Sequence, residues 1–433
     1  MTSQLVLGNG FGLALASDSA QTGGTEPRTY AAAEKVHPLE PPHRLAVLTA
    51  GHVHFLGMPI SVLVNEWKDS LGKRSRSVEG YRESFLAWLD DNLDNWTNHR
   101  QRDDEAFDAA VGQIRHLHHS VLSTAIRGTQ ESQQPELALA ALRSHNEDLA
   151  RRPGFDPNLL RMADDFFDRW NREGDEDPPR PALFDLLEMH FDDVPRSEEI
   201  DKEIHEFLRL VVAGGHRFPS HATNQLVFVG YGDKDLVPAV SCVDLRGALG
   251  DNAVRHLWGD QAASRHGSSY ALIVPLAQYD TIDLILRGHN PRLLREAAQA
   301  TIERSRGAIG EPVKGEDGSG DTVSSDTVEN EANAPKSFTE AGFEMFRDEA
   351  EELSQERNVG PALRTIAGIP LASLAGIAGS LVSAQNLVQN IRGELPTVGG
   401  NIDIATITLD EGFKWVSHNS RVSNNLSGFG NDH

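Results

Sequence analysis

The alternation of apolar and polar positions changes its rhythm repeatedly along this chain. Leu5-Val6-Leu7 is followed by the turn signal Gly8-Asn9-Gly10 and then by Gly12-Leu13-Ala14-Leu15-Ala16-Ser17-Asp18, which predicts two short strands. Arg44-Leu45-Ala46-Val47-Leu48-Thr49-Ala50-Gly51 predicts a further, buried strand. Pro59 suits a first helical position, and Ile60, Leu63, Val64 and Trp67 recur behind it at helical spacing.

From about Ser75 the period becomes 3.6. Phe85 to Leu89, Phe107 to Ile126, Leu137 to Leu149, Leu159 to Trp170 and Leu183 to Phe191 all carry apolar stripes among charges of both signs. Strand signals return at Gln225 to Gly232 and Ala239 to Leu245, with a turn expected at Arg246-Gly247. Helices are expected at about 291–306, 338–355 and 369–391. Between the first two, residues 307–336 hold almost no bulky apolar side chains, so they are expected to stay a flexible acidic loop. A last strand, Pro396 to Thr408, pairs in a hairpin with Gly412 to Val416. The expected partition is a core in three pieces, 1–75, 215–306 and 337–418, interrupted by a helical insertion at 76–214 and the loop at 307–336, with a disordered tail at 419–433.

Composition narrows the function classes. Over 433 residues, 40 Lys+Arg stand against 64 Asp+Glu, a formal charge of −24. Phosphate backbones and anionic lipid surfaces both need clustered cations, so no nucleic-acid partner and no membrane partner are expected. Cys242 has no second cysteine to pair with. That excludes a secreted disulfide scaffold, and with no signal peptide read at Met1-Thr2-Ser3-Gln4 it leads to an expected cytoplasmic location. Residues 365–391 carry no charge and are long enough to cross a bilayer. Pro370, three glycines and four amides argue for a buried helix instead, with Leu371, Leu374, Ile377, Leu381 and Val388 mostly on one helical face.

Candidate chemistry begins at Thr2. Removal of Met1, favoured by a small next side chain, would expose a threonine with both a hydroxyl and an α-amine. An α-amine has a pKa near 8, so a useful fraction is neutral at neutral pH and takes the hydroxyl proton. Asp18 lies sixteen residues on, at the end of a Gly-x-x-Leu-Ala-x-Asp-like strand. Lys35-Val36 opens the next strand, Thr49-Ala50-Gly51 ends the one after, and Val398-Gly399-Gly400-Asn401-Ile402-Asp403-Ile404-Ala405 comes late.

In this order and spacing the chain resembles the proteasome β-subunit family, including the HslV-like peptidases, among the N-terminal-nucleophile hydrolases. The resemblance implies an α+β fold, a four-layer αββα sandwich, here with an inserted all-helical module. It implies Thr2 as nucleophile and base, with Lys35 lowering the pKa of its hydroxyl and amine. Asp18 would orient Lys35, and the Gly51 N–H would stabilise the oxyanion. The reaction would be amide hydrolysis of a peptide or protein substrate, with no cofactor and no metal, and with self-association as the family's habit. The family's supporting Asp and Ser fall here near Leu395 and Val398. Its Gly-Ser-Gly loop is matched at best by Gly259-Asp260-Gln261. Those departures motivate the alternative of a non-catalytic, proteasome-like scaffold or binding protein.

Other motifs carry blander expectations. His116, His118 and His119 sit at i, i+2, i+3, partly on different helix faces, and are expected to be solvated or packed rather than metal-binding. Cys242 reads as core. Ser264-Arg265-His266-Gly267-Ser268-Ser269 reads as a loop, since adjacency in sequence does not make a triad.

Overall fold

The computed structural model describes residues 2–23, 28–30, 34–127, 129–151, 157–172, 197–213, 223–266, 269–290, 349–391 and 399–418, with residues 293, 294, 297 and 346. The expected acidic loop at 307–336 and the tail at 419–433 lie outside the described residues, as do most of the helix expected at 291–306 and both Leu395 and Val398.

In chain order the strands β1 (Ser3–Asn9), β2 (Gly12–Asp18), β3 (Gln21–Gly23), β4 (Arg28–Tyr30), β5 (Val36–Pro38), β6 (Arg44–Gly51), β7 (His54–Phe55) and β8 (Met58–Pro59) come first. Helices α1 (Ile60–Ser70), α2 (Val78–Asn92), α3 (His99–Leu117), α4 (Ser123–Ile126), α5 (Gln134–Ala150), α6 (Pro157–Arg172) and α7 (Glu198–Val212) follow. Then come β9 (Asn224–Tyr231), β10 (Ala239–Leu249), β11 (Asn252–Ala262), β12 (Ser264–His266) and β13 (Ser269–Ala277). The described chain closes with α8 (Asp280–Arg287), α9 (Gly360–Ile366), α10 (Leu371–Ile391), β14 (Ile402–Thr408) and β15 (Gly412–Ser417). This is a mixed α+β content with antiparallel pairing. Two compact units divide it: Met1–Thr2, Ala32–Ala263 and Thr406–Trp415 form the first, and Ser3–Ala31, Ser264–Ala405 and Val416–His433 the second.

The first unit is built on a five-stranded sheet in the order β11-β10-β9-β6-β5. Alternation along β6 sends Leu45 and Val47 to one face and Ala46 and Leu48 to the other, and all four are fully buried. That double burial is why the strand reads as an unbroken apolar run. Helices α1 and α2 cover the first of these faces. Pro59 caps α1, which buries Ile60, Leu63, Val64 and Trp67. Ser77 caps α2 by accepting the Gly80 N–H. Trp67 stands edge-on to Phe85 and Phe228, with centroids 5.4 and 5.7 Å apart.

Helices α3 to α7 gather around a second core in this unit, where Phe107, Ile114, Leu142, Phe166, Ile204 and Phe207 pack with Leu249 and Val254. Those last two residues belong to the hairpin end of β10 and β11. The inserted helices therefore dock there, and α2 alone among α2 to α7 shares the sheet's own core. Asp90 ties the joint by accepting the Ala253 N–H at 2.8 Å and Arg255 at 2.9 Å.

The turn expected at Arg246-Gly247 is absent. β10 continues to Leu249 through a register shift between Leu245 and Ala248, Gly247 supplying a φ of +129°. A glycine in a strand reads as a turn, yet it equally permits a bulge. The reversal follows at Gly250, whose φ is +55°.

The second unit carries β12, β13, β1 and β2 of a six-stranded sheet whose order is β12-β13-β1-β2-β14-β15. Every residue of β1 and β2 is buried. Leu5, Leu7, Ala14 and Ala16 pack against Leu374, Ala375, Ala378 and Val382 of α10. Leu374 is fully buried, Leu371, Ile377 and Leu381 pack partly buried against the same core, and Val388 is half-buried, as the sequence pattern predicts. The buried face also holds alanines, Gly379 and the amides Gln385, Asn386 and Gln389. The reason is close approach: a Cβ on Gly379 would stand 2.5 Å from Ile404 Cδ1. The amides are used, Gln385 Oε1 accepting the Thr281 N–H at 2.8 Å. α10 is long and apolar enough to cross a membrane, and here one of its faces is packed on β1 and β2.

Ser264 to His266, expected as loop, is the edge strand β12 paired with β13. Short partly exposed strands of this kind lack the apolar run that marks β6.

Candidate active site

Thr2 precedes β1 and is 5% exposed. Antiparallel pairing of β1 and β2 brings Asp18, at the end of β2, alongside Ser3. The Asp18 carboxylate is fully buried, and such a group is costly unless hydrogen-bonded. It accepts the Ser3 N–H at 2.9 Å on Oδ1, and on Oδ2 the Gly399 N–H at 3.1 Å and the Ala20 N–H at 3.3 Å. The Ser19 N–H in turn reaches the Gly399 carbonyl at 3.3 Å. Because the Ser3 nitrogen belongs to the Thr2–Ser3 peptide, Asp18 fixes the bond on which Thr2 hangs. Gly399, which the sequence shows only as part of a late motif, is a partner of Asp18.

Lys35, 6% exposed, precedes β5, and its carbonyl accepts the Thr49 N–H of β6 at 2.9 Å. Two residues further along β6 stands Gly51, about 7 Å on at strand rise. Its φ is +88°, and a Cβ there would lie 2.2 Å from the Thr223 carbonyl oxygen, so both backbone conformation and space demand glycine. Successive N–H groups of a strand point to opposite edges. The Thr49 N–H goes to Lys35, and the His52 N–H goes to the Thr223 carbonyl at 2.9 Å on the other side. By that alternation the Gly51 N–H between them would face the Lys35 edge of β6, past the end of β5. Thr2, Lys35 and Gly51 belong to the first unit and Asp18 to the second.

Beside Lys35, His37 Nε2 lies 3.3 Å from Thr49 Oγ1. Burial, helped by the charge of Lys68, pulls the His37 pKa down to about 4 from 6.5. Folded His37 therefore stays neutral where the unfolded chain has already taken a proton. Stability should fall as pH drops from about 6.5 to about 4, by roughly 3 kcal/mol in total, and change no further on this account below that. His43, pulled down by burial and by Arg74, acts in the same direction. Urea unfolding across this window checks the expectation: His37→Gln should lower the slope against pH by about one proton, and an unchanged slope refutes it.

The remaining sequence candidates fall as follows. Cys242 is fully buried in β10, with Sγ 3.9 Å from the Gly259 carbonyl. Ser264 Oγ and His266 Nε2 are 2.9 Å apart on the exposed edge strand. His118 lies in the π-helical turn His118–Leu122 and is half-buried, and the side chains of His116 and His119 are outside what is described. A cluster missed in the sequence, Asp94, His99 and Asp251, has the composition of a cation site. Buried Arg102 already occupies it, with Nη2 2.8 Å from Asp94 and 3.4 Å from Asp251.

No family model matches the chain, and no curated protein matches it in sequence. Among solved structures it is similar to "Anbu (ancestral beta-subunit) from Yersinia bercovieri", at 10% identity and a TM-score of 0.26 over 99% of this chain and 93% of that one. It is also similar to the Anbu (Gly-1) mutant from Hyphomicrobium sp. strain MC1, at 10% identity and a TM-score of 0.24 over 98% and 92%. At these scores the likeness decides neither fold nor chemistry.

Proposed function

We propose that the chain is a threonine-type N-terminal-nucleophile hydrolase, a proteasome-like peptidase that cleaves amide bonds through an acyl-enzyme on Thr2 after loss of Met1. The observation that carries the reading is the Asp18 anchor: a buried carboxylate, sixteen residues past Thr2, holds the peptide bond that follows the nucleophile. The α-amine of Thr2 takes the hydroxyl proton, Oγ attacks the scissile carbonyl, and the Gly51 N–H stabilises the oxyanion. Collapse breaks the amide, the amine leaves with a proton, and water then hydrolyses the ester. The positive charge of Lys35 favours the neutral amine and the oxyanion.

The proposal extends to a four-layer αββα sandwich, supported unit by unit: in each, helices cover one face of an antiparallel sheet whose opposite face is also buried. It extends also to a cytoplasmic enzyme acting on peptide or protein without cofactor or metal. A non-catalytic, proteasome-like scaffold is the second reading, favoured by Leu395 and Val398 where supporting polar residues would stand.

Intact-mass measurement separates the two. The hydrolase should lack Met1 and, treated with peptide epoxyketones, gain one adduct on Thr2, because the morpholine product needs both hydroxyl and amine. Retained Met1, or a Thr2→Ala chain that hydrolyses peptides at the native rate, overturns the reading.

A further inference from the structure

Gly51 carries no side chain to anchor it, so the aim of its N–H is set by neighbours. On one side the setting is the Thr49 bond to Lys35. On the other it is residue 52, tied to β9 at both of its backbone polar groups. The His52 N–H donates to the Thr223 carbonyl at 2.9 Å, and the His52 carbonyl accepts from Asn224 Nδ2. Asn224 is the first residue of β9, stands directly opposite Gly51 in the ladder, and is 1% exposed. Its neighbour Thr223 is also the residue whose carbonyl leaves no room for a Cβ at Gly51.

We propose that Asn224 is a positioning residue for the oxyanion donor: by holding the His52 carbonyl it fixes the turn out of β6 and thereby the direction of the Gly51 N–H. The physical need is at the strand end, where the ladder stops and a backbone segment carrying a glycine would otherwise fray. A side-chain amide supplies the extra donor there. This rests on reading Gly51 as the oxyanion donor of a Thr2 hydrolase.

The test uses the full-length protein and two readouts. Asn224→Asp keeps size and removes the donor; Asn224→Ala removes the donor without adding charge, should the first variant not fold. Hydrogen exchange at residues 50–53 should speed at least about ten-fold while the centres of β9 and β10 stay protected. The maximal rate of adduct formation with a peptide epoxyketone, whose ketone passes through an oxyanion, should fall about 10²-fold with the half-saturating concentration unchanged. Native exchange at 50–53 in both variants overturns the positioning role. Faster exchange with a native adduct rate overturns its bearing on catalysis. A wild-type chain that forms no adduct instead overturns the hydrolase reading, and the exchange measurement still decides whether Asn224 holds the turn.

Discussion

Gly51→Ala will destabilise the first unit by about 3 kcal/mol or more and lower its melting point by roughly 5–10 °C. Two costs combine. A φ of +88° puts the new Cβ against its own carbonyl, about 1–2 kcal/mol for an L residue. The Cβ also meets the Thr223 oxygen at 2.2 Å, a backbone atom that moves only if β6 and β9 part. Gly57→Ala is the control, because Gly57 has a φ of +78° but nothing within 4 Å of a built Cβ. It should cost about 1 kcal/mol, the conformational part alone. Chemical unfolding of the two variants side by side separates strain from clash. Equal losses would show that the approach of Thr223 carries no weight and that Gly51 is an ordinary turn glycine.

How much of this was legible in the sequence depended on which faces are buried. β1, β2 and β6 announce themselves as apolar runs because both of their faces are covered. β11 does not, since exposed positions break its run, and in β13 the run Ala271 to Ala277 holds Pro275, a residue that argues against a strand. α10 was legible in length, and four of the five large residues on the face read from its spacing, Leu371, Leu374, Ile377 and Leu381, pack against the core. Its close packing against Ala14 and Ala16 also favours small residues, which a pattern of large apolar positions does not mark. At the site, the spacing of Thr2, Asp18, Lys35 and Gly51 could be read along the chain. The residues that hold them could not. Gly399 lies 381 positions from Asp18, and Asn224 lies 172 from His52. Nothing local to either position marks a bond across such a distance. Gly259-Asp260-Gln261 shows the converse: set against the family's Gly-Ser-Gly loop, it is part of β11, with Gly259 at a φ of +66°.

Asp260 is also where the second large effect is expected. Its two oxygens take Arg82 Nη1 at 2.6 and 2.7 Å, and Oδ1 further accepts Ser241 Oγ at 2.9 Å and the Cys242 N–H at 3.3 Å. One carboxylate thus joins α2 to both β10 and β11. The burial is lopsided, Arg82 being 2% exposed and Asp260 45%. Removing Arg82 leaves a carboxylate that water can reach. Removing Asp260 strands a buried guanidinium with only Glu79, at 3.3 Å and itself 57% exposed, to answer its charge. Asp260→Ala should therefore cost about 3 kcal/mol, the larger of the two single losses, and Arg82→Leu clearly less. Since an apolar pair can replace a buried ion pair at little cost, the double variant should be more stable than Asp260→Ala alone. Urea unfolding of the four chains closes this cycle. Strict additivity of the two single losses would mean that the pair is not coupled and that α2 is held on the sheet by its apolar packing and the Asp90 bonds to β11.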